Sequence, residues 1–316
     1  MMKTIATLSS ALVGIAGAQP IVIAHRGASG YLPEHTLEAK AMAHAMGADF
    51  IEQDIVLTKD DVPVVMHDIY LDTISDVAQK FPDRHRANGR YYALDFTLAE
   101  IKQLNATERF SEKTGKQVYP KRFPKGASSF QIPTLEEELE LIEGLNKSTG
   151  RAAGIYPEIK QPKWHRSEGH DISAIVLPIL KKHGYATKTD ACIVQCFEFE
   201  EVKRIRTELG WEGRLIYLMG SFKKGEKVTN EKPSLAEIAK VADGIGPAIS
   251  ADIVDVVAQA HAAGLQVHPY TLRIDDLPKW AKSTEELLHL LFDVAKVDGL
   301  FSDFPDVAVR HAHGGK

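Results

Sequence analysis

Two histidines and a pair of acidic residues stand at positions in this 316-residue chain that would allow them to act together. His25 and His67 each follow an apolar run, and Glu52 and Asp54 lie two residues apart in another apolar run between them. Imidazoles can serve as general acid and general base, and neighbouring carboxylates can bind a divalent cation. This combination of side chains indicates metal-assisted phosphoryl chemistry.

The acidic pair is predicted to share one face of a strand. Alternate residues of a strand point to the same side, which in a barrel places Glu52 and Asp54 in the interior at the strand's carboxyl end. Two like charges there are costly unless a cation neutralises them, and a structural ion pair with a buried lysine or arginine is the alternative. Glu158 ends the next strand and Lys160 shares its face, so the acid could bind a metal while the lysine faces a phosphate.

The donor atoms narrow the choice of cation. The acids offer oxygen ligands only, with no cysteine and no paired metal-binding histidines, which favours Ca²⁺ or Mg²⁺ over Zn²⁺. Spacing does not decide between Ca²⁺ and Mg²⁺. Of the two we favour Ca²⁺ as the single divalent cofactor.

The histidines come from different strands, which is how an acid and a base can lie on opposite sides of a scissile bond. Either could be a structural histidine by itself, but His25 and His67 together, flanking carboxylates, favour catalysis. Arg26 offers a forked donor for phosphate oxygens, and a solvated surface arginine is its alternative. His35 lies where a helix begins and could merely bond to the backbone, so it is left out of the catalytic set.

Eight apolar runs separated by helical patterns predict an α/β fold, a distorted (β/α)8 TIM barrel. The weakest run is the short one at 244–245. Capping boxes that begin at Thr134, Ser234 and Ser283 support the intervening helices. The predicted strands span residues 21–24, 50–55, 153–156, 192–196, 215–218, 244–245, 265–268 and 299–302.

Two segments depart from the repeat. Residues 62–66 follow the second strand too closely for a crossover helix, so they are predicted to return as an antiparallel hairpin arm. Centring the hairpin near Asp60 lays Asp54 opposite Met66 and brings His67 beside the carboxylates. Residues 69–131 lack the pattern, and a connection of this length is usually a functional insertion. We predict a small cap that shapes one side of the pocket at the barrel's C-terminal face.

The ends and the composition give the domain organisation. Lys3, an apolar stretch and Ala16-Gly17-Ala18 predict a signal peptide over residues 1–18, cleavage after Ala18 and export to the periplasm, with a frayed N-terminal helix as the alternative. One barrel domain is expected over residues 19–316, with no stable membrane anchor. A net charge of −5 argues against a nucleic-acid partner.

The two cysteines are predicted to be free thiols. Cys192 and Cys196 lie four residues apart in one strand, a separation of about 13 Å. That distance is far beyond the reach of a disulfide.

Nine motifs, met in order between about residue 20 and residue 310, resemble those of glycerophosphodiester phosphodiesterases, above all the periplasmic bacterial members that release sn-glycerol 3-phosphate. They are His25-Arg26-Gly27, Pro33-Glu34-His35-Thr36, Glu52-Gln53-Asp54, His67-Asp68, Pro157-Glu158-Ile159-Lys160, Gln195-Cys196-Phe197, Gly244-Ile245-Gly246-Pro247, His268-Pro269-Tyr270-Thr271 and Phe301-Ser302-Asp303-Phe304-Pro305. Ser302 stands where the family more often has threonine, a change that we expect to matter little.

The resemblance implies a site at the carboxyl face of the barrel and metal-dependent hydrolysis of a glycerophosphodiester. His25 would remove a proton from the nucleophile and His67 would protonate the departing alcohol, although the two roles could be exchanged. Water and the substrate's own C2 hydroxyl both remain open as the nucleophile. The implied metal ligands are Glu52, Asp54 and Glu158, and the implied substrate-binding residues are Arg26, Glu34, Lys160, Gln195 and Tyr270.

Three other functions are alternatives to this one. A related barrel phosphodiesterase acting on lysophospholipid or sphingomyelin-type head groups is the nearest, but the charged content of residues 69–131 suggests a soluble diester as the small-molecule partner. A glycosidase needs carboxyl groups roughly 5 to 9.5 Å apart across a sugar bond, whereas acids two apart on a strand share a ligand more naturally. A binding protein would not need both histidines and all three acids. The preferred alcohol is not predicted, and a homodimer is left open.

Overall fold

Nine β-strands lie within residues 19–220 and 233–314, the parts of the chain that the computed structural model describes. The predicted signal peptide, residues 1–18, lies outside them. Among the described residues no helix combines the length and the apolar character that crossing a membrane requires. The strands are β1 (Ile21–Ala24), β2 (Phe50–Leu57), β3 (Pro63–Val65), β4 (Gly154–Ile159), β5 (Ile193–Cys196), β6 (Arg214–Met219), β7 (Gly244–Pro247), β8 (Gln266–Val267) and β9 (Gly299–Ser302).

Eight of these strands form the predicted parallel barrel. Their order around the sheet is β8-β7-β6-β5-β4-β2-β1-β9. The segment after β8 closes the ring against β9, because the Phe301 amide donates to the Pro269 carbonyl at 3.0 Å and the Leu272 amide to the Phe301 carbonyl at 2.8 Å. The predicted TIM barrel is therefore confirmed, including the weak sixth parallel strand that the sequence placed at 244–245 and that forms β7.

Helices connect the strands, and their starts follow the sequence signals. The predicted capping boxes at Thr134 and Ser234 are both formed, and the Ser283 hydroxyl accepts from the Glu286 amide. The α-helices are α1 (Leu37–Ala45), α2 (Val77–Lys80), α3 (Leu98–Ile101), α4 (Leu135–Thr149), α5 (Pro162–Ser167), α6 (Ile172–Lys182), α7 (Phe199–Thr207), α8 (Leu235–Ile238), α9 (Ile253–Ala262), α10 (Thr284–Leu288) and α11 (Pro305–Ala312), with a 3₁₀ turn at Ala93–Asp95 and a π-helix at His289–Ala295.

Strand β2 shows how the barrel aims its side chains. Ile51 and Ile55 point outward into the apolar layer beneath the helices, whereas Phe50 points inward and packs with Tyr156. The alternation continues up the strand, so the next two inward positions beyond Phe50 are acidic. Cys192 and Cys196, at the edge of and within β5, are buried and free, as predicted.

The hairpin formed by β2 and β3 has the predicted register. Ile55 pairs with Val65, and beyond the last pair the Met66 amide donates to the Asp54 carbonyl at 2.8 Å. His67 follows directly, at the carboxyl end of the barrel. A one-residue slip would turn each side chain to the opposite face, so this register decides whether His67 reaches the site.

The insertion, residues 69–131, has an apolar core of its own. Leu71, Phe96, Ile101 and Phe130 are buried in this second cluster beneath short helices and turns. Because its helices are only four residues long, the segment lacks the long periodic runs that sequence reasoning depends on.

The insertion also buries a carboxyl group. Glu108 is 3% exposed, and burial raises its pKa to about 8, with the charge of Glu34 acting in the same direction and those of Arg122 and Arg109 opposing. A carboxyl whose pKa is higher in the folded chain than in the unfolded one stabilises the fold at low pH. That contribution is lost as the pH rises toward about 8.

We therefore predict that Glu108→Gln changes the pH dependence of stability. The variant should match the parent at pH ~5 and exceed its free energy of unfolding by at least about 1 kcal/mol at pH ~8, since each unit of pKa shift corresponds to about 1.4 kcal/mol. Urea unfolding at both pH values measures the difference. Glu112→Gln, at an exposed position of the same segment, is the control, and an equal effect of Glu108→Gln at both pH values would contradict the prediction.

Candidate active site

The predicted site residues meet at the carboxyl end of the barrel. Two adjoining cavities share His25, Arg26 and His67 in their walls. The first also contains Glu52, Glu158, Gln195 and Tyr270, and the second contains Glu34. Asp54 and Lys160 lie against the acids of the first cavity.

The three acids are brought together by strand register. Asp54 of β2 pairs with Glu158 of β4, and Glu52 lies one inward position below Asp54. One carboxylate oxygen from each of the three lies within 4.8 Å of the others, and all three side chains are buried. Oxygen atoms at this spacing can hold one hard cation.

The cluster is electrostatically unfavourable by itself. Burial raises the pKa of Glu52 well above its usual value, and the charges of Asp54 and Glu158 raise it further. Burial also raises the pKa of Glu158, to about 8, against the charge of Lys160. For Asp54 burial acts in the same sense but is outweighed, chiefly by Lys160 and His67, which hold its pKa well below the usual range. A bound cation would favour the ionised form of all three.

The ion-pair alternative explains only part of this arrangement. Lys160 Nζ lies 2.7 Å from Glu158 and 3.5 Å from Asp54. Among the described residues no lysine or arginine side chain forms a salt bridge with Glu52, which instead accepts from the Arg26 amide at 2.8 Å and from Gln195 Nε2 at 3.0 Å. One buried acid is therefore left without a lysine or arginine side-chain partner, and the donor set fits a divalent cation beside Lys160.

A tight turn after β1 delivers the first histidine and the Arg26 amide. Arg26 and Gly27 both have positive φ, at 58° and 82°. A Cβ atom on Gly27 would lie 2.8 Å from the Ala39 carbonyl carbon, so glycine is required there. The turn points the Arg26 amide at Glu52.

His25 is held in one orientation. Its Nδ1 lies 2.5 Å from Asp303 Oδ1, and its Nε2 lies 3.8 Å from Glu52 on the side of the acids. Burial lowers the pKa of His25 to about 4, with Arg26 adding to this and Asp303 opposing. A neutral imidazole that donates from Nδ1 leaves the Nε2 lone pair free to accept a proton.

His67 faces the same space from the hairpin arm. Its Nδ1 lies 2.7 Å from Asp68 Oδ1, so each histidine has an aspartate behind it. Burial lowers the pKa of His67 to about 4, and the charges of Arg26 and Lys160 lower it further against that of Asp54. The two rings thus enter the pocket from different strands, as the sequence predicts.

Arg26 and Tyr270, both predicted to bind substrate, also line the first cavity. The Arg26 side chain is only 12% exposed and donates to Glu34 at 2.9 Å, so the surface-arginine alternative is wrong. The Tyr270 hydroxyl donates to the Met219 carbonyl at 2.7 Å, and its ring contacts Phe197 edge-on. Charged groups and aromatic rings therefore line the wall of the same cavity.

His35 is the clearest omission of the sequence reasoning. A backbone contact alone could have explained it, but its Nε2 lies 2.8 Å from Asp54 Oδ2 and its Nδ1 lies 3.1 Å from Lys40 Nζ. The side chain orients an acid of the cluster. Its position directly after Glu34 in a motif was the available signal, but the positive φ of 62° that turns it toward Asp54 cannot be read from spacing.

Cavity volume alone points to a different part of the structure from the predicted site residues. A cavity of about 700 Å³ lies within the insertion, between Asp72 and Ser129, and contains none of the predicted catalytic residues. The predicted catalytic residues instead line the smaller pair of cavities at the barrel mouth.

Comparison with known protein families identifies the family of this chain. The sequence model of the "Glycerophosphoryl diester phosphodiesterase family" matches residues 25–307. The chain belongs to this family. It is 45% identical to the glycerophosphodiester phosphodiesterase of Haemophilus influenzae, over 94% of this chain and 90% of that protein, and 37% identical to that of Treponema pallidum, over 95% and 94%. It is accordingly a glycerophosphodiester phosphodiesterase, a phosphoric diester hydrolase with a small-molecule substrate.

Solved structures of the phosphodiesterase family share the fold. A putative glycerophosphoryl diester phosphodiesterase from Silicibacter pomeroyi superposes with a TM-score of 0.71 at 24% identity, covering 94% of each chain. An Oleispira antarctica phosphodiesterase, solved in complex with the product sn-glycerol-3-phosphate, gives 0.64 at 23% identity, covering 94% of this chain and 98% of that one. This chain therefore has the same barrel fold as these solved structures.

Proposed function

We propose that the enzyme hydrolyses glycerophosphodiesters to an alcohol and sn-glycerol 3-phosphate, using one divalent cation and two histidines. The observation that carries the proposal is the placement of His25 and His67 around one pocket that also contains the buried three-acid cluster. Each ring has its Nδ1 bonded to an aspartate, so each presents Nε2 to the pocket.

Glu52, Asp54 and Glu158 are the proposed ligands of the cation. When bound, the cation would polarise a phosphate oxygen and offset the negative charge of the diester. We favour Ca²⁺, because it accepts several carboxylates in flexible geometry, whereas Mg²⁺ usually keeps several waters and takes one or two carboxylates. Lys160, beside two of these acids, is positioned to face the phosphate.

His25 is the proposed general base. The neutral ring donates its Nδ1 proton to Asp303, and Nε2 on the other side accepts the proton of the nucleophile. This step is the same for water and for the C2 hydroxyl of the substrate. Asp303 stabilises the imidazolium that forms, because its carboxylate stays charged against the ring.

His67 is the proposed general acid. It must carry a proton when it meets the departing alcohol, and the negative charge of a bound phosphate raises the pKa of a nearby imidazole. Asp68 favours the same protonated form from behind. Arg26, held by Glu34 and lining the same cavities as the two rings, offers donors to phosphate oxygens that gain charge as the bond breaks.

The product assignment is supported by the pocket and by one relative. The cavity that contains Glu34 is lined throughout by charged and polar side chains, which suits a soluble diester better than a lipid head group on a membrane. The Oleispira antarctica structure holds sn-glycerol-3-phosphate as its product. The rival function, on lysophospholipid or sphingomyelin-type head groups, would release choline phosphate instead.

Removal of the metal should abolish activity. We predict that EDTA reduces turnover of glycerophosphocholine to background, that Ca²⁺ restores it more fully than Mg²⁺, and that Glu52→Gln raises the Ca²⁺ concentration for half-maximal activity by more than about tenfold. Calorimetric Ca²⁺ titration measures binding independently of turnover. Glu143→Gln, on the exposed side of α4, is the matched control. Activity that survives EDTA would rule out the cation.

The two histidines should be separable from metal binding. His25→Ala and His67→Ala are each expected to lower kcat by roughly 10²- to 10⁴-fold, the usual contribution of a general acid or base, with Ca²⁺ affinity retained. A coupled assay for glycerol 3-phosphate measures the rate, and His261→Ala at an exposed histidine is the control. Near-normal turnover in either variant, or choline phosphate as the product, would contradict the proposal.

We also propose that the enzyme is exported with residues 1–18 as a cleaved leader. The proposal is supported by the Lys3 charge, the apolar stretch and the small residues that end at Ala18. Expression of the full chain in a Gram-negative host should give a periplasmic form whose first residue is Gln19, measured by intact mass. A cytoplasmic form that retains residues 1–18 would count against it.

A further inference from the structure

The insertion supplies two arginines, and each one contacts the aspartate behind a different histidine. We propose that Arg109 and Arg122 are positioning residues for catalysis: each fixes the aspartate that orients one histidine, which makes the insertion part of the catalytic machinery. The inference rests on the proposed roles of His25 and His67. It concerns residues that none of the sequence motifs contains.

The first series of contacts leads to His25. Asp303 Oδ1 contacts Nδ1 of the His25 ring. Asp303 Oδ2 accepts from Arg122 Nη2 at 2.7 Å and from Arg273 Nε at 2.9 Å. Arg122 is itself fixed by a forked contact with Asp275, at 2.8 and 3.1 Å. The Arg122 side chain is 5% exposed, so little freedom is left to the aspartate.

The second series leads to His67 and has the same form. Asp68 Oδ1 contacts Nδ1 of the His67 ring, and Asp68 Oδ2 accepts from Arg109 Nη1 at 2.5 Å. Arg109 is fixed by a forked contact with Glu34, at 2.6 and 2.9 Å. Thr73 adds only a long contact of 3.4 Å to Asp68. Thus Asp68 depends on one arginine, whereas Asp303 has two.

Both arginines come from one short stretch of the insertion. The Val118 amide donates to the Arg109 carbonyl at 2.9 Å, which closes a small hairpin. From within the hairpin the Gln117 side chain donates to the Tyr119 carbonyl at 2.6 Å and to the Arg122 carbonyl at 3.4 Å. The same backbone unit therefore sets the positions of both guanidinium groups.

The geometry of proton transfer explains why this support matters. A catalytic ring displaced by about 1 Å can cost roughly 10²-fold in rate, and a carboxylate held through only one oxygen can rotate with its ring. A guanidinium presents several donors in a rigid plane, so it fixes the orientation of the carboxylate as well as its charge. Lysine in the same place would keep the charge without the rigid fork.

The test uses leaving-group dependence, because only the acid step responds to it. Arg109→Met and Arg122→Met are compared on glycerophosphocholine and on the p-nitrophenyl ester of glycerol phosphate, whose leaving group needs no protonation. Arg109→Met should lower kcat for the choline ester by roughly 10- to 100-fold and lower kcat for the nitrophenyl ester much less. Arg122→Met should lower both equally, and by less because Arg273 remains on Asp303.

Controls separate positioning from folding. Arg90→Met removes a forked contact with Asp72 in the same insertion, away from the site, and should leave both rates unchanged. Arg109→Lys and Arg122→Lys should recover part of the loss in kcat with KM near the parent value. A loss confined to KM, or the same loss in Arg90→Met, would overturn the proposal, since either indicates a role in binding or folding alone.

A double-mutant comparison separates this inference from the proposed function. With the nitrophenyl ester as substrate, Arg122→Met should lower kcat in the parent but have little further effect in a His25→Ala background. On glycerophosphocholine the same should hold for Arg109→Met in a His67→Ala background. Undiminished further losses would overturn the positioning role. If instead His67→Ala itself shows no leaving-group dependence, the assignment of the acid fails while the coupling of Arg109 to His67 is still decided by this comparison.

Discussion

Mutual repulsion among three buried carboxylates at the barrel mouth is the constraint that organises this enzyme. The barrel register forces Glu52, Asp54 and Glu158 to within 4.8 Å of one another, and burial removes the water that would otherwise screen them. Lys160 and Arg26 offset part of the charge. The remaining excess of negative charge suits a cation, and it acts on the two imidazoles that line the same pocket.

The elements around the three acids hold these charged groups in fixed positions. Neighbouring strands bring the acids together, the turn at Arg26 and Gly27 directs a backbone amide at Glu52, and His35 restrains Asp54 from behind. The antiparallel hairpin brings His67 to the wall of the same cavity. Each of these contacts or elements fixes the position of a charged or polar group that would otherwise be free to move.

The sequence predicts the parts of the site that follow from local periodicity. Glu52 and Asp54 were assigned to one face because strand residues alternate, and the hairpin register could be derived from the position of its turn, so His67 was placed correctly. The contact of Arg122 with Asp303 joins residues 181 apart along the chain, and Arg122 lies in a segment whose short helices give no periodic signal. Such contacts depend on tertiary packing, and residue spacing does not contain them.

Aromatic side chains packed beneath the site limit the paths by which substrate and products can reach it. Tyr156, Phe301 and Phe50 fill the barrel interior, and the Tyr156 hydroxyl bonds to His268 at 2.8 Å. Within residues 19–220 and 233–314, these packed rings close the barrel axis beneath the pocket. A diester that enters from the barrel mouth, and the products that leave there, would therefore pass the insertion, whose side chains form part of the cavity wall.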